Sequence, residues 1–150
     1  LLSEDDVEAT LNKITKLAVE TIDGCDHAGV SLIQDRKIST AAASDDVPCQ
    51  VDAIQYDAGE GPCLDAIREH ETFRIDDLAA EYRWPKFSPR AAEESGVASM
   101  LSFRLFAETD TMGALNLYAR KRGAFDDEAL AVGSVFATHR GSRPRWCAAL

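Results

Sequence analysis

The segment Gly59-Glu60-Gly61-Pro62-Cys63-Leu64-Asp65-Ala66 gathers the residues of this chain best placed for chemistry. Two glycines two apart free the backbone for a tight turn, positive φ included. Pro62 suits the first position of a helix, where its missing N–H costs nothing, and Asp65 in the first turn complements the positive end of the helix dipole. The segment therefore predicts a loop that feeds a short helix through Ile67 or Arg68. Amides at such a start can receive an anionic ligand group. Cys63 lies in the same turn, a position that lowers a thiol pKa and raises its thiolate fraction. A structural turn with Cys63 as a small core residue satisfies the same spacing.

The elements that must position this loop follow from periodicity. Val7, Leu11, Ile14, Ala18 and Ile22, with Leu17 beside them, step by three or four residues, one apolar face of a helix from about Glu4 to Thr21. Ser3 suits its N-cap, Glu4, Asp5 and Asp6 its positive end, and Gly24 a left-handed stop. His27 to Ile33 alternates as a strand, Gln34-Asp35-Arg36-Lys37 is a polar turn, and Ile38 to Ala43 returns as a second strand. Ser44 to Pro48 reads as loop, with Pro48 a breaker. Val51 to Tyr56 fits a short helix or a strand equally.

Beyond the glycine segment, Thr72-Phe73-Arg74-Ile75 predicts a short strand closed by Asp76-Asp77-Leu78. The stretch from Glu81 to Pro89 is aromatic but carries two prolines, so it cannot sit inside a sheet. It predicts an ordered loop leading into a helix from about Pro89 to Ser95, stopped by Gly96. Trp84 and Phe87 either pin that loop or pack over a pocket. Ser99 to Ala107 and Thr111 to Ala119 alternate on either side of the turn Glu108-Thr109-Asp110, the clearest hairpin in the chain. The all-apolar rows (Leu101, Phe103, Leu105; Leu115, Leu117) face a core. The mixed rows (Met100, Ser102, Arg104, Phe106; Met112, Ala114, Asn116, Tyr118) line a semi-polar pocket or meet solvent. After Phe125, Asp126-Asp127-Glu128 starts a helix with Leu130, Val132, Val135 and Phe136 on its apolar face, reaching about His139. The domain therefore spans residues 3–139, and residues 140–150 read as an irregular tail, non-native or truncated.

Composition bounds the function. With 150 residues, 45% apolar and 28% charged, the chain suits one ordinary globular domain with a full core. A net charge of −10 argues against a nucleic-acid surface, which needs a basic face to displace counterions. The basic run Arg120-Lys121-Arg122 beside Gly123 reads as a solvated loop. No stretch approaches the roughly 20 apolar residues of a membrane span. The amino end lacks the basic and apolar regions of a signal peptide. Cys25, Cys49, Cys63 and Cys147 show no C-x-x-C pair and no metal-ligand rhythm, which fits a reduced, cytoplasmic protein with free thiols. His27, His70 and His139 are scattered without metal-binding spacing. Asp76-Asp77 and Asp126-Asp127 sit at element ends, where capping explains them.

This order of helix, hairpin, Gly-x-Gly loop with helix, strand, aromatic loop, hairpin and helix resembles a GAF domain from about Ser3 to His139. The residues that carry the resemblance are Gly59 to Ala66, Ile75-Asp-Asp-Leu78, Arg83-Trp-Pro-Lys-Phe87, Ser99 to Phe106, Gly113-Ala-Leu-Asn-Leu-Tyr118 and Gly123-Ala-Phe-Asp-Asp-Glu128. Together they look like the actinobacterial GAF subgroup that commonly precedes an ANTAR RNA-binding domain in antitermination regulators. The resemblance implies an α+β fold with a central antiparallel sheet, terminal helices on one face and loops and short helices on the other. It places a ligand pocket under that second cover, at Tyr56, Gly59, Gly61, Cys63, Trp84, Phe87, Met100, Ser102 and Asn116. It also implies a homodimer through the terminal helices. Phe125 and Asp127-Glu128 match part of the cyclic-nucleotide signature, but Arg120-Lys121 stands where Asn-Lys would be, which argues against cyclic-nucleotide binding.

The function expected is a non-catalytic sensory domain that binds a small ligand, dimerises, or both, controlling a transcriptional or antitermination output. No cofactor is identified, and no direct contact of this chain with nucleic acid or membrane is expected. Two alternatives use the same residues. Free methionine-sulfoxide reductases, a related GAF-fold class, do cysteine chemistry near a similar Gly-x-Gly loop, which would make Cys63 a redox centre with Cys49 as its partner. A purely structural dimerisation module would leave the pocket empty.

Overall fold

A computed structural model describes residues 4–69, 71–105 and 112–138. Helix α1 spans Glu4–Thr21, and strands β1 (His27–Gln34) and β2 (Lys37–Ala43) form the first hairpin. Helices α2 (Asp46–Ala58) and α3 (Pro62–Glu69) follow, then strand β3 (Phe73–Ile75) and a 3-10 turn at Leu78–Ala80. Helix α4 (Ser88–Ser95), strands β4 (Ser99–Leu105) and β5 (Met112–Ala119), and helix α5 (Asp127–Thr138) complete the chain. The Ser3 cap, the turn at Glu108-Thr109-Asp110, Phe106, His70, His139, Cys147 and the tail lie outside the described residues.

The strands make one antiparallel sheet in the order β2-β1-β5-β4-β3. Period-two alternation divides its side chains between two faces. One face carries Ala28, Val30, Leu32, Leu101, Phe103, Leu115 and Leu117, packed against Leu11, Ala18 and Ile22 of α1 and its exit and against Ala129 and Ala137 of α5. Gly133 of α5 is required there, because a Cβ would strike the Phe103 ring. The other face lies beneath α2, α3, α4 and the aromatic loop, where Val51, Ile54, Trp84, Phe87, Ala91, Met100 and Tyr118 form a second apolar cluster. Terminal helices on one face and short helices with loops on the other is the α+β arrangement expected.

One local feature departs from expectation, and one that pattern left open is decided. Pro48 does not break the chain: α2 begins at Asp46 and takes Pro48 into its first turn, where no helical N–H is needed. Asp45 caps that turn, accepting the Val47 N–H at 2.8 Å. The stretch Val51 to Tyr56, undecided from pattern, is helical. Pro48 also explains Gly29 below it, where a Cβ would stand 2.8 Å from the Pro48 Cβ.

Candidate functional site

Direct cross-strand partners share a face, so the register lays out the covered face in rows, three of which concern the candidate site. The first reads Thr40, Ser31, Ala114, Arg104. The second reads Gly29, Asn116, Ser102, Phe73, and the third His27, Tyr118, Met100, Ile75. Of the mixed rows of the β4–β5 hairpin, Met100, Ser102, Ala114, Asn116 and Tyr118 are buried at 0% exposure, while Arg104 and Met112 are half-buried. Thr40 joins its row through a bulge. Ser31 pairs Thr40 and Val30 pairs Ala42, leaving Ala41 without an opposite partner. Strict alternation would turn Thr40 to the α1 side with Ala42; the extra residue turns it under α2.

What these rows meet is a buried carboxyl. Asp52 of α2 is fully buried and accepts Thr40 Oγ1 at 2.7 Å, Ser31 Oγ at 3.2 Å and Tyr118 Oη at 3.3 Å. Tyr56, one helical turn on, donates to Ser31 Oγ at 3.3 Å, and Asn116 Nδ2 reaches the same oxygen at 3.3 Å. Burial raises the Asp52 pKa, and the surrounding hydroxyls only partly offset it. The same burial, with Asp52 adjacent, raises Tyr56 and Tyr118.

The Gly-x-Gly loop serves this cluster from above. Gly59 closes α2 in the left-handed conformation (φ 71°), its N–H bonded to Gln55 O at 2.8 Å. Gly61 has φ 151° and lies against the Gln55 side chain, leaving no room for a Cβ. Pro62 occupies the first position of α3 as expected. The Cys63 amide is taken by Gln55 Oε1 at 3.0 Å, an internal acceptor that fits the structural-turn reading of this segment. Glu60 accepts the Lys86 and Phe87 amides at 2.7 and 3.3 Å, and Asp65 accepts Trp84 Nε1 at 2.8 Å. Two carboxylates of one segment thus hold down the aromatic loop. Trp84, Phe87 and Met100 sit in the apolar cluster beneath it.

Cys63 follows the reading of it as a small core residue rather than a reactive thiolate. Cys63 is fully buried, and burial with the nearby Asp52 pushes its thiol up to about 12, outweighing the helix start. Cys49 is exposed in the first turns of α2, and Cys25, Cys49 and Cys63 are all free thiols. Among the described residues no group of His, Cys, Asp and Glu could hold a metal. Asp126 does cap, accepting the Ala129 N–H at 2.8 Å. Asp76 and Asp77 instead face Arg74 and Arg122, at 3.3 and 3.7 Å.

Polar frustration is concentrated on this side of the sheet. Among the described residues, buried side-chain atoms without a hydrogen-bond partner are His27 Nε2, Gln55 Nε2, Ser88 Oγ, Ser102 Oγ, Arg104 Nε and Asn116 Oδ1. All belong to the covered face or to α2 and α4 above it. Each such atom costs about 1–3 kcal/mol unless a partner meets it. Asp52, Ser31, Thr40, Gln55 and Arg104 were not singled out as site residues from sequence. The helical spacing of Asp52, Gln55 and Tyr56 was the available signal, hidden while helix and strand stood equal over this stretch.

The sequence matches the GAF domain family over residues 4–142, and the chain belongs to that family. Solved structures of similar fold include a type II free methionine-R-sulfoxide reductase from Thermoplasma acidophilum (TM-score 0.69, 14% identity, covering 91% of this chain and 90% of that one). Another is a GAF domain/HD domain protein from Geobacter sulfurreducens (TM-score 0.64, 15% identity, 91% and 90%). A third is a free methionine-R-sulfoxide reductase from Neisseria meningitidis in complex with its substrate (TM-score 0.62, 20% identity, 87% and 74%). At these identities the likeness is one of fold. A search of curated proteins found no match by sequence. No helix among the described residues is long and apolar enough to cross a membrane.

Proposed function

We propose that this GAF domain is a non-catalytic sensor that binds a small ligand between the sheet and its α2–α3 cover. The observation that carries the proposal is the set of unpartnered polar atoms on that face, Asn116 Oδ1, Ser102 Oγ and Gln55 Nε2 foremost. Such groups in a buried interior call for a partner. Tyr56, Cys63, Ser102 and Asn116 supply the polar contacts, Trp84, Phe87 and Met100 the apolar wall, and Gly59 and Gly61 the turn that brings α3 down. Ligand binding shifts the population between two settings of α2 and α3 over the sheet. The readout is a homodimer formed through α1 and α5, where Leu17 and Val135 are exposed. That dimer controls a transcriptional or antitermination output in the cytoplasm, of the ANTAR-associated kind. A thermal-shift screen of small polar metabolites tests the ligand claim. At least one compound should raise the Tm of the parent chain and not of Asn116→Ala; equal rises in both overturn the site.

A thiol-dependent reductase on Cys63 is the competing reading, and the similar folds include such enzymes. It needs an accessible thiolate. A fully buried thiol raised to about 12 speaks against it.

A further inference from the structure

We propose that the ligand of this site carries a carboxylate or phosphate group, bound by the Arg104 guanidinium. The proposal rests on the reading of the covered face as a ligand site, and adds the ligand's chemical class. Arg104 ends the row Thr40, Ser31, Ala114, Arg104, on the face under α3, which packs across β4. Its Nε is buried and without a partner. Arg104 as a residue is half-buried, and it is the buried Nε–H donor that calls for an acceptor. Among the described residues Arg74, Arg83, Arg90 and Arg122 each meet a carboxylate, and Arg104 meets none.

Among the described residues no side chain of this face supplies the missing anion. Asp52 stands two strands away along the row, about 10 Å at the usual strand spacing, and its oxygens are taken by Thr40, Ser31 and Tyr118. Asp45 is engaged at the other end by His27 Nδ1 at 2.6 Å. Ser102, two residues before Arg104 on the same strand and face, offers a second unpartnered group, its hydroxyl. Planar, forked N–H donors match carboxylate and phosphate oxygens. Between Arg104 and Ser31 the row holds Ala114, small and buried in one cluster with Cys63 and Ile67. An acid group on Arg104 therefore leaves the rest of the ligand directed toward Ser102, Asn116 and Gln55, whose free atoms are both donors and acceptors.

The test uses side-chain ¹⁵N–¹H spectra of the intact chain titrated with sodium acetate, sodium phosphate or neutral acetamide, at ionic strength matched with chloride. Saturable shifts of the Arg104 Nε–Hε signal by acetate or phosphate, weakened at least tenfold in Arg104→Gln, support the proposal. The better of the two assigns the acid group. Arg104→Lys, which keeps the charge and loses the fork, should bind at an intermediate level and carries the comparison where Arg104→Gln does not fold. If acetamide moves the Gln55 and Asn116 carboxamides while neither anion moves Arg104, the anionic class is overturned and the ligand site stands. If no probe moves any of these signals, both are overturned.

Discussion

The Asp52 carboxylate on α2 accepts the Tyr118 hydroxyl on β5 at 3.3 Å, joining the cover to the middle of the sheet across 66 positions of chain. Removing the carboxyl strands three hydroxyls at once, those of Thr40, Ser31 and Tyr118. Asp52→Ala should therefore lose about 1–3 kcal/mol in urea denaturation, the cost of buried donors left unmade. Asp52→Asn keeps an acceptor and should lose less. Equal stability of Asp52→Ala and the parent chain would contradict this.

The same carboxyl sets a pH dependence with a definite sign. Its folded pKa is raised above the ordinary value of 3.8. Its contribution is therefore fully present below that value and is lost as pH rises through the folded pKa. Stability of the parent chain relative to Asp52→Asn should fall as pH rises from about 4. A difference that grows with pH would contradict the raised pKa.

Thiol labelling should sort the cysteines by burial. At pH 8, iodoacetamide and peptide mapping should find Cys49 modified in the native chain, with Cys25 and Cys63 protected until it unfolds. Both protected thiols are pushed up to about 12 by burial. Rapid native modification of Cys63 would revive the redox alternative.

The aromatic loop should loosen when its two carboxylate ties are cut. Asp65→Ala removes the acceptor of Trp84 Nε1, and Glu60→Ala frees the Lys86 and Phe87 amides. In a Trp146→Phe background each should red-shift Trp84 emission, the double variant most. Unchanged emission in the double variant would show that apolar packing alone seats the indole.

Gly133→Ala should cost about 1–3 kcal/mol by overpacking, since its methyl would meet the Phe103 ring. A neutral result in thermal denaturation would mean that α5 stands further from β4.

Much of this architecture is legible in the sequence, and the parts that are not share a cause. Helices with one apolar face, such as α1, and strands with strict alternation, such as β1 and β5, declare themselves through period. The bulge at Ala41 does not, because one extra residue reverses the face of Thr40 without altering composition. Pro48 reads as a breaker in sequence yet sits where a helix tolerates it. That misreading hid the start of α2, and with it the register that sets Asp52, Gln55 and Tyr56 over Ser31 and Asn116. The candidate site is a meeting of α2, α3 and four strands, so pattern within single elements showed the row of Ser102 and Arg104 and that of Asn116, but not the Asp52 carboxyl that α2 lays over Ser31 and Thr40. Cys63 shows the limit of a local rule: a helix start lowers a thiol pKa only where burial does not outweigh it.

Native mass spectrometry of freshly purified chain, with the same sample run denatured, tests ligand sensing most directly. A dimer carrying extra mass that disappears on denaturation is expected, and that mass should be absent from Asn116→Ala. A chain that is bare in native spectra, and stays bare after incubation with the compounds of the thermal-shift screen, would contradict it.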